Sequence, residues 1–164
     1  MPAKAAKPFD LAEALLASFD TNDRINDYLI ENLSVKAWRA EPPGGKGRDI
    51  ASIAAHIHNV RGMWLKAAGG KVIEQLDRHT VTVTQARKGL GTSHEALREV
   101  LARSLASDGR VKGFRPDVAG FVGYLIAHEA HHRGQITMLA RQVGYPISQK
   151  AMFGMWEWGS RGAK

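Results

Sequence analysis

A chain of 164 residues, 44% of them hydrophobic, is long enough for one apolar core and too short for two ordinary domains. The absence of cysteine excludes disulfides, thiolate ligands and a cysteine nucleophile, so any thiol chemistry needs a thiol supplied by a small molecule. The net charge of +7 is scattered, with Lys4 and Lys7 near the start and Arg110, Lys112 and Arg115 around a turn; the lack of a basic stripe interleaved with aromatics argues against specific nucleic-acid binding.

The opening "MPAKAAKPFD" is charged and lacks an apolar h-region, and no run approaches the roughly 18 apolar residues of a membrane span. Residues 1–8 read as a flexible tail on a single domain spanning 1–164, and the protein as soluble and cytoplasmic. Asp10 caps a first helix running to about Leu33, with Leu11, Leu15, Phe19, Ile25 and Leu29 supplying apolar contacts. "EPPGGKGR" breaks it. A second helix begins near Arg48 or Asp49 and ends before Gly69 and Gly70. "KVIEQLDRHTVTV", rich in β-branched residues, reads as a crossover connection. Thr84 caps a third helix reaching about Ser107, with a break possible at Gly89 and Gly91. Pro116 fits the first turn of a fourth helix that Gly144 and Pro146 stop, and the closing "FGMWEWGSRG" reads as an aromatic segment rather than a helix. The expected fold is all-α: a four-helix bundle with a long crossover between helices 2 and 3.

The fourth helix carries His128-Glu129-Ala130-His131-His132-Arg133-Gly134-Gln135. His128 and His132 lie about 40° apart around the helix, on the same side as Phe121, Leu125, Ile136 and Leu139, whereas His131 falls on the flank. Two histidines hold a metal poorly, so a third ligand must come from another element. "DIASIAAHIHNVRGMWL" has one apolar face; His56 is on its edge and His58 about 130° from its centre. The spacing selects His56, His128 and His132 as metal ligands, leaving a coordination position for water or substrate.

These residues resemble the DinB-like family of small helical bundles, which includes the YfiT type of metal-dependent enzymes. The resemblance rests on "HIHNVRGMWL", on "GYLIAHEAHHRGQITMLARQVGYP" and on the closing "MWEWG", with H-x-x-H-H-R-G-Q as the specific part. It implies a four-helix bundle whose second helix gives one histidine and whose last gives two, around a divalent ion such as zinc or nickel. By position these are His56, His128 and His132. Some members of that family transfer low-molecular-weight thiols or isomerise thiol adducts while many have no assigned reaction, so the resemblance implies a small thiol as co-substrate.

His128 to His132 also matches H-E-x-x-H, in which a glutamate activates water on zinc. The longer metzincin pattern is absent, since Met138 stands where another histidine would fall. Glu129 remains a candidate general base or partner of a ligand, and His131 a candidate for orienting a ligand or touching substrate. Arg133 and Gln135 are candidate pocket residues, Arg133 for an anionic cofactor group and Gln135 for hydrogen bonding one turn beyond His128. His79 and His94 read as structural or solvated, and Trp38, Trp64, Trp156 and Trp158 as core or interface aromatics that can also wall a pocket. The expected function is a metal-dependent transferase or hydrolase acting on a small molecule, with a non-catalytic metal-binding stress module or an H-E-x-x-H zinc hydrolase as alternatives. Apolar and aromatic residues in excess of what one bundle buries, including "MFGMWEWG", suggest a homodimer.

Overall fold

A computed structural model describes residues 8–162, so most of the expected 1–8 tail lies outside the described residues. They form seven α-helices and one 3-10 turn, with no strand among the described residues.

Three aspartates start three of the long helices by accepting from the backbone N–H three residues on. Asp10 caps α1 (Leu11–Glu31), Asp49 caps α3 (Ile50–Ala67) and Asp117 caps α5 (Val118–Gln142). Thr82 starts α4 (Val83–Leu105) with a capping box in which Gln85 bonds back to it. The α4 start is thus two residues earlier than the expected Thr84 cap, because the reciprocal Thr82–Gln85 pair satisfies two orphan donors at once. Pro116 stands before the α5 cap rather than in its first turn.

Three short helices complete the chain. After α1, Ser34 caps the single turn α2 (Val35–Trp38), and the Pro-Gly segment forms the 3-10 turn Pro43–Gly45 with Gly44 at φ 74°. The closing aromatic segment is helical in two pieces, α6 (Gln149–Gly154) and α7 (Trp158–Gly162), which corrects its reading as non-helical. Ser148 caps α6, and Gly154 is required because a Cβ there would collide with the Tyr28 hydroxyl. Arg161 of α7 lies 3.6 Å over the Tyr28 ring, and Arg24 donates to its carbonyl, tying the C-terminal segment to α1.

α1 and α3 each lie against both α4 and α5. Residues 68–82 link α3 to α4 without regular structure, held by side chains instead. The Asn59 amide donates to the Leu76 carbonyl and accepts from the Leu76 N–H, both at 2.9 Å. α4 continues through Gly89 and Gly91 without a break. Gly89 is there for close approach: a Cβ would sit 2.9 Å from the Leu76 side chain and 3.2 Å from the His58 ring.

The core is not one apolar mass. Leu29, Ile30, Ala54, Ile57, Leu90 and Ile136 belong to one cluster, and Phe19, Leu65, Leu97, Phe121 and Leu125 to a second. Every long helix places a buried polar residue between the two clusters: Asn22 and Asn26 on α1, Arg61 on α3, Ser93 on α4 and Glu129 on α5.

Asp49 joins a helix cap to an ion pair with Arg39 at 3.1 Å. Asp49→Ala should lower unfolding free energy by about 1 kcal/mol, the usual worth of an aspartate cap, seen as a lower urea midpoint at unchanged slope.

Candidate metal centre

α3 delivers His56 and α5 delivers His128 and His132 to one point, where one nitrogen from each ring lies within 4.8 Å of the others. His132 and His128 approach most closely, Nε2 to Nε2 at 3.1 Å, because a four-residue helical step places both rings on one side. Ring centroids are 4.7 Å apart for His56 and His132 and 5.5 Å for His56 and His128. Tyr124, one turn before His128, stacks on its ring at 6.0 Å and connects it to an aromatic cluster of Trp64, Phe114 and Phe121.

The donor set suits a borderline divalent ion. Burial, followed by the Arg48 charge and the other two rings, pushes His56 down to about 4. Burial also holds His128 and His132 below the ordinary imidazole range, despite the upward pull of the Gln135 hydrogen bond on His132. All three rings are therefore neutral at pH 7, the form that ligates. Gln135 Oε1 accepts from His132 Nδ1–H at 2.7 Å, which leaves the Nε2 lone pair directed at the other two rings. For ligand distances of about 2.0–2.1 Å, a tetrahedral ion separates its nitrogens by roughly 3.3 Å, close to the His128–His132 spacing.

A cleft of about 580 Å³ is lined by Gln135, the hydrogen-bond partner of His132, and by Arg48, Ile53, Met138 and Leu139, while the three histidines are not part of its wall. Arg48 is exposed and acts on both His56 and His132 through its charge.

The other candidate residues are placed differently. Glu129 does not face the trio. Its Oε1 accepts from Arg61 Nε at 2.7 Å, and its Oε2 accepts from Arg61 Nη2 at 2.8 Å and from the Asn22 and Asn26 amides, each at 2.6 Å. Burial raises its pKa, but the Arg61 charge and these donors outweigh it and hold the carboxyl below its usual range. With Oε2 accepting three bonds, Oε1 paired to Arg61 and only 1% of the residue exposed, Glu129 is committed to the core ion pair and turned away from the trio. His131 is exposed, its ring 5.1 Å from that of His132. Arg133 turns to the opposite side of α5, where its Nη1 donates to Asn22 Oδ1 at 2.7 Å and Asn26 Oδ1 at 2.6 Å.

His58, expected about 130° from the centre of the apolar face, is buried. Its Nδ1 is 2.8 Å from the Gly89 carbonyl and its Nε2 2.8 Å from the Glu74 carbonyl, so it fastens the 68–82 connection to α4. His94 pairs with Asp20 at 2.9 Å, and His79 accepts from Arg78 on the surface. Arg61, which the sequence reading passed over, is the largest fully buried side chain, and it also binds Asp23 at 2.8 Å. Burial opposes its charge, yet Glu129 and Asp23 outweigh this and raise its pKa. Its spacing was the available signal: it lies four residues after Ile57 and four before Leu65, on the buried face.

Two measurements follow from this geometry. His128→Ala and His132→Ala should each greatly weaken zinc binding in a chelator titration, and Gln135→Leu should weaken it about 10- to 100-fold by freeing the ring. His58→Ala should lower stability yet keep the metal; equal metal retention by the His132 and His58 variants would sink the assignment. Separately, Glu129→Gln sets an amide N–H₂ among donors and leaves Arg61 short of a counter-charge, so it should cost about 3 kcal/mol or more. Because the folded-state pKa of Glu129 is depressed, its contribution is complete above its ordinary value of 4.5 and is lost as pH falls through the lower folded value. The gap in urea midpoint between wild type and Glu129→Gln should therefore narrow on acidification.

No curated protein and no solved structure matches the chain significantly. The model of the DinB family matches residues 1–155, which contain all three histidines and both halves of the polar layer, and the chain belongs to that family.

Proposed function

We propose that this chain is a divalent-metal-dependent enzyme that transfers or adds a small thiol, built as a four-helix bundle in which α1, α3, α4 and α5 are the long members and residues 68–82 the crossover. The observation that carries the reading is the convergence of three imidazoles from two helices, one of them bonded to Gln135 in the wall of a cleft. His56, His128 and His132 would hold zinc or nickel. When bound, such an ion supplies Lewis acidity and lowers the pKa of a thiol or water that reaches it.

The chain's own residues account for the remainder. Gln135 fixes the His132 tautomer. Tyr124 fixes the tilt of the His128 ring by stacking on it. Arg48, at the cleft, offers an anchor for an anionic group on the thiol or its acceptor, and its charge disfavours protonation of His56 and His132. With Glu129 committed to Arg61, water activation by a neighbouring carboxylate has no support, which favours thiol transfer over hydrolysis of the H-E-x-x-H type.

Elemental analysis of the purified protein should find a divalent ion that a chelator removes. Screening small thiols against electrophiles should then give turnover that chelation abolishes and zinc or nickel restores. Turnover indifferent to chelation would overturn the proposal, and loss of thermal stability on chelation with no thiol-dependent turnover would assign the ion a structural role instead.

A further inference from the structure

The opposite side of α5 holds a second site. Taking His128 as zero, Arg133, Thr137 and Gly134 lie between about 140° and 240° around the helix, away from the metal-facing side. There they meet Ile25 of α1 and the C-terminal segment, enclosing a cavity of about 290 Å³ whose walls include Met152, Met155 and Trp158. The volume is near the lower end for small-molecule sites, and the walls are almost wholly apolar.

The exception is Arg133. Its Nη1 is used on the Asn22 and Asn26 oxygens, both neutral acceptors, and no carboxylate among the described residues pairs with it. The acid whose charge acts on it, Glu129, is hydrogen-bonded instead to Arg61 and the two asparagine amides. Burial accordingly depresses the Arg133 pKa, and Glu129 and Arg61 act on it with opposite signs. A guanidinium that is partly desolvated, lacks a direct counter-ion and borders an apolar cavity is complementary to an anion carrying an apolar body.

We propose that this cavity binds a small monocarboxylic acid, with its carboxylate on the free face of the Arg133 guanidinium and its hydrocarbon part between Ile25, Met152, Met155 and Trp158. Trp158, 39% exposed, and Trp156, 77% exposed, both line the cavity, so a ligand there changes their surroundings. Gly134 leaves the space: a Cβ built on it meets nothing within 4 Å. The site does not depend on the histidine trio, from which it is separated by the body of α5.

Octanoate and octan-1-ol serve as probes on the full chain kept in chelator, read by calorimetry and by tryptophan fluorescence. Octanoate should bind more tightly than octan-1-ol. Arg133→Gln, which keeps amide donors for the asparagines but removes the charge, should weaken octanoate about tenfold and leave octan-1-ol unchanged. Gly134→Leu should fill the cavity and weaken both probes. No octanoate binding by wild type, octanoate affinity unaltered by Gly134→Leu, or a homodimer whose formation excludes octanoate would overturn the proposal. If Arg133→Gln fails to fold, the Gly134 variant and the acid–alcohol difference decide it alone. Because the metal is absent throughout, failure of the metal reading leaves the result intact.

Discussion

The buried pair of Glu129 and Arg61 organises this molecule. It joins α3 to α5 by two parallel hydrogen bonds between fully buried partners, and Asn22 and Asn26 extend it to α1. Ser93 and the Leu90 carbonyl bring in α4 through Arg61. All four long helices thus meet in one polar layer between two apolar clusters. Desolvating such charges offsets much of their attraction, so the layer adds little net stability over a well-packed apolar equivalent. What it does impose is register: a helix shifted by one turn would strand a charge in hydrocarbon.

That register is what brings the histidines together. His128 and His132 flank Glu129 on α5, and His56 is five residues from Arg61 on α3. The ion pair and the trio therefore share a scaffold without sharing atoms, and the same pairing that aligns the helices sets the distance from His56 to the other two rings. Arg133 extends the arrangement to the far side. Asn22 and Asn26 are one turn apart on α1, as Glu129 and Arg133 are on α5; each asparagine gives its N–H₂ to the acid and its oxygen to the base.

The histidine trio was legible because three rings at helical spacing, and a partner on a second amphipathic helix, make a pattern that survives without tertiary information. The aspartate cap at Asp10 and the start of the second long helix near Asp49 were legible for the same local reason. The role of Glu129 stayed open in the sequence because its partners lie 68, 103 and 107 residues away, and nothing local to H-E-x-x-H says whether the carboxylate turns toward the ligands or into the core. His58 was placed off the apolar face because Ala51, Ala54 and Ala55 are too small to mark a buried surface in sequence, yet all three are buried and widen the α3 face to include it. The helicity of the C-terminal segment was hidden by its glycines and tryptophans; its two short helices are held by contacts with Tyr28 and Arg24 rather than by propensity.

The split origin of the three histidines carries a mechanical implication. One side of the triangle, His128 to His132, is a property of the α-helix and changes only if α5 unwinds. The other two sides depend on how α3 rests on α5. Separation of α3 from α5 therefore converts a three-point site into a two-point one without disturbing either helix, so retention of an ion there is a direct gauge of how firmly those two helices are clasped.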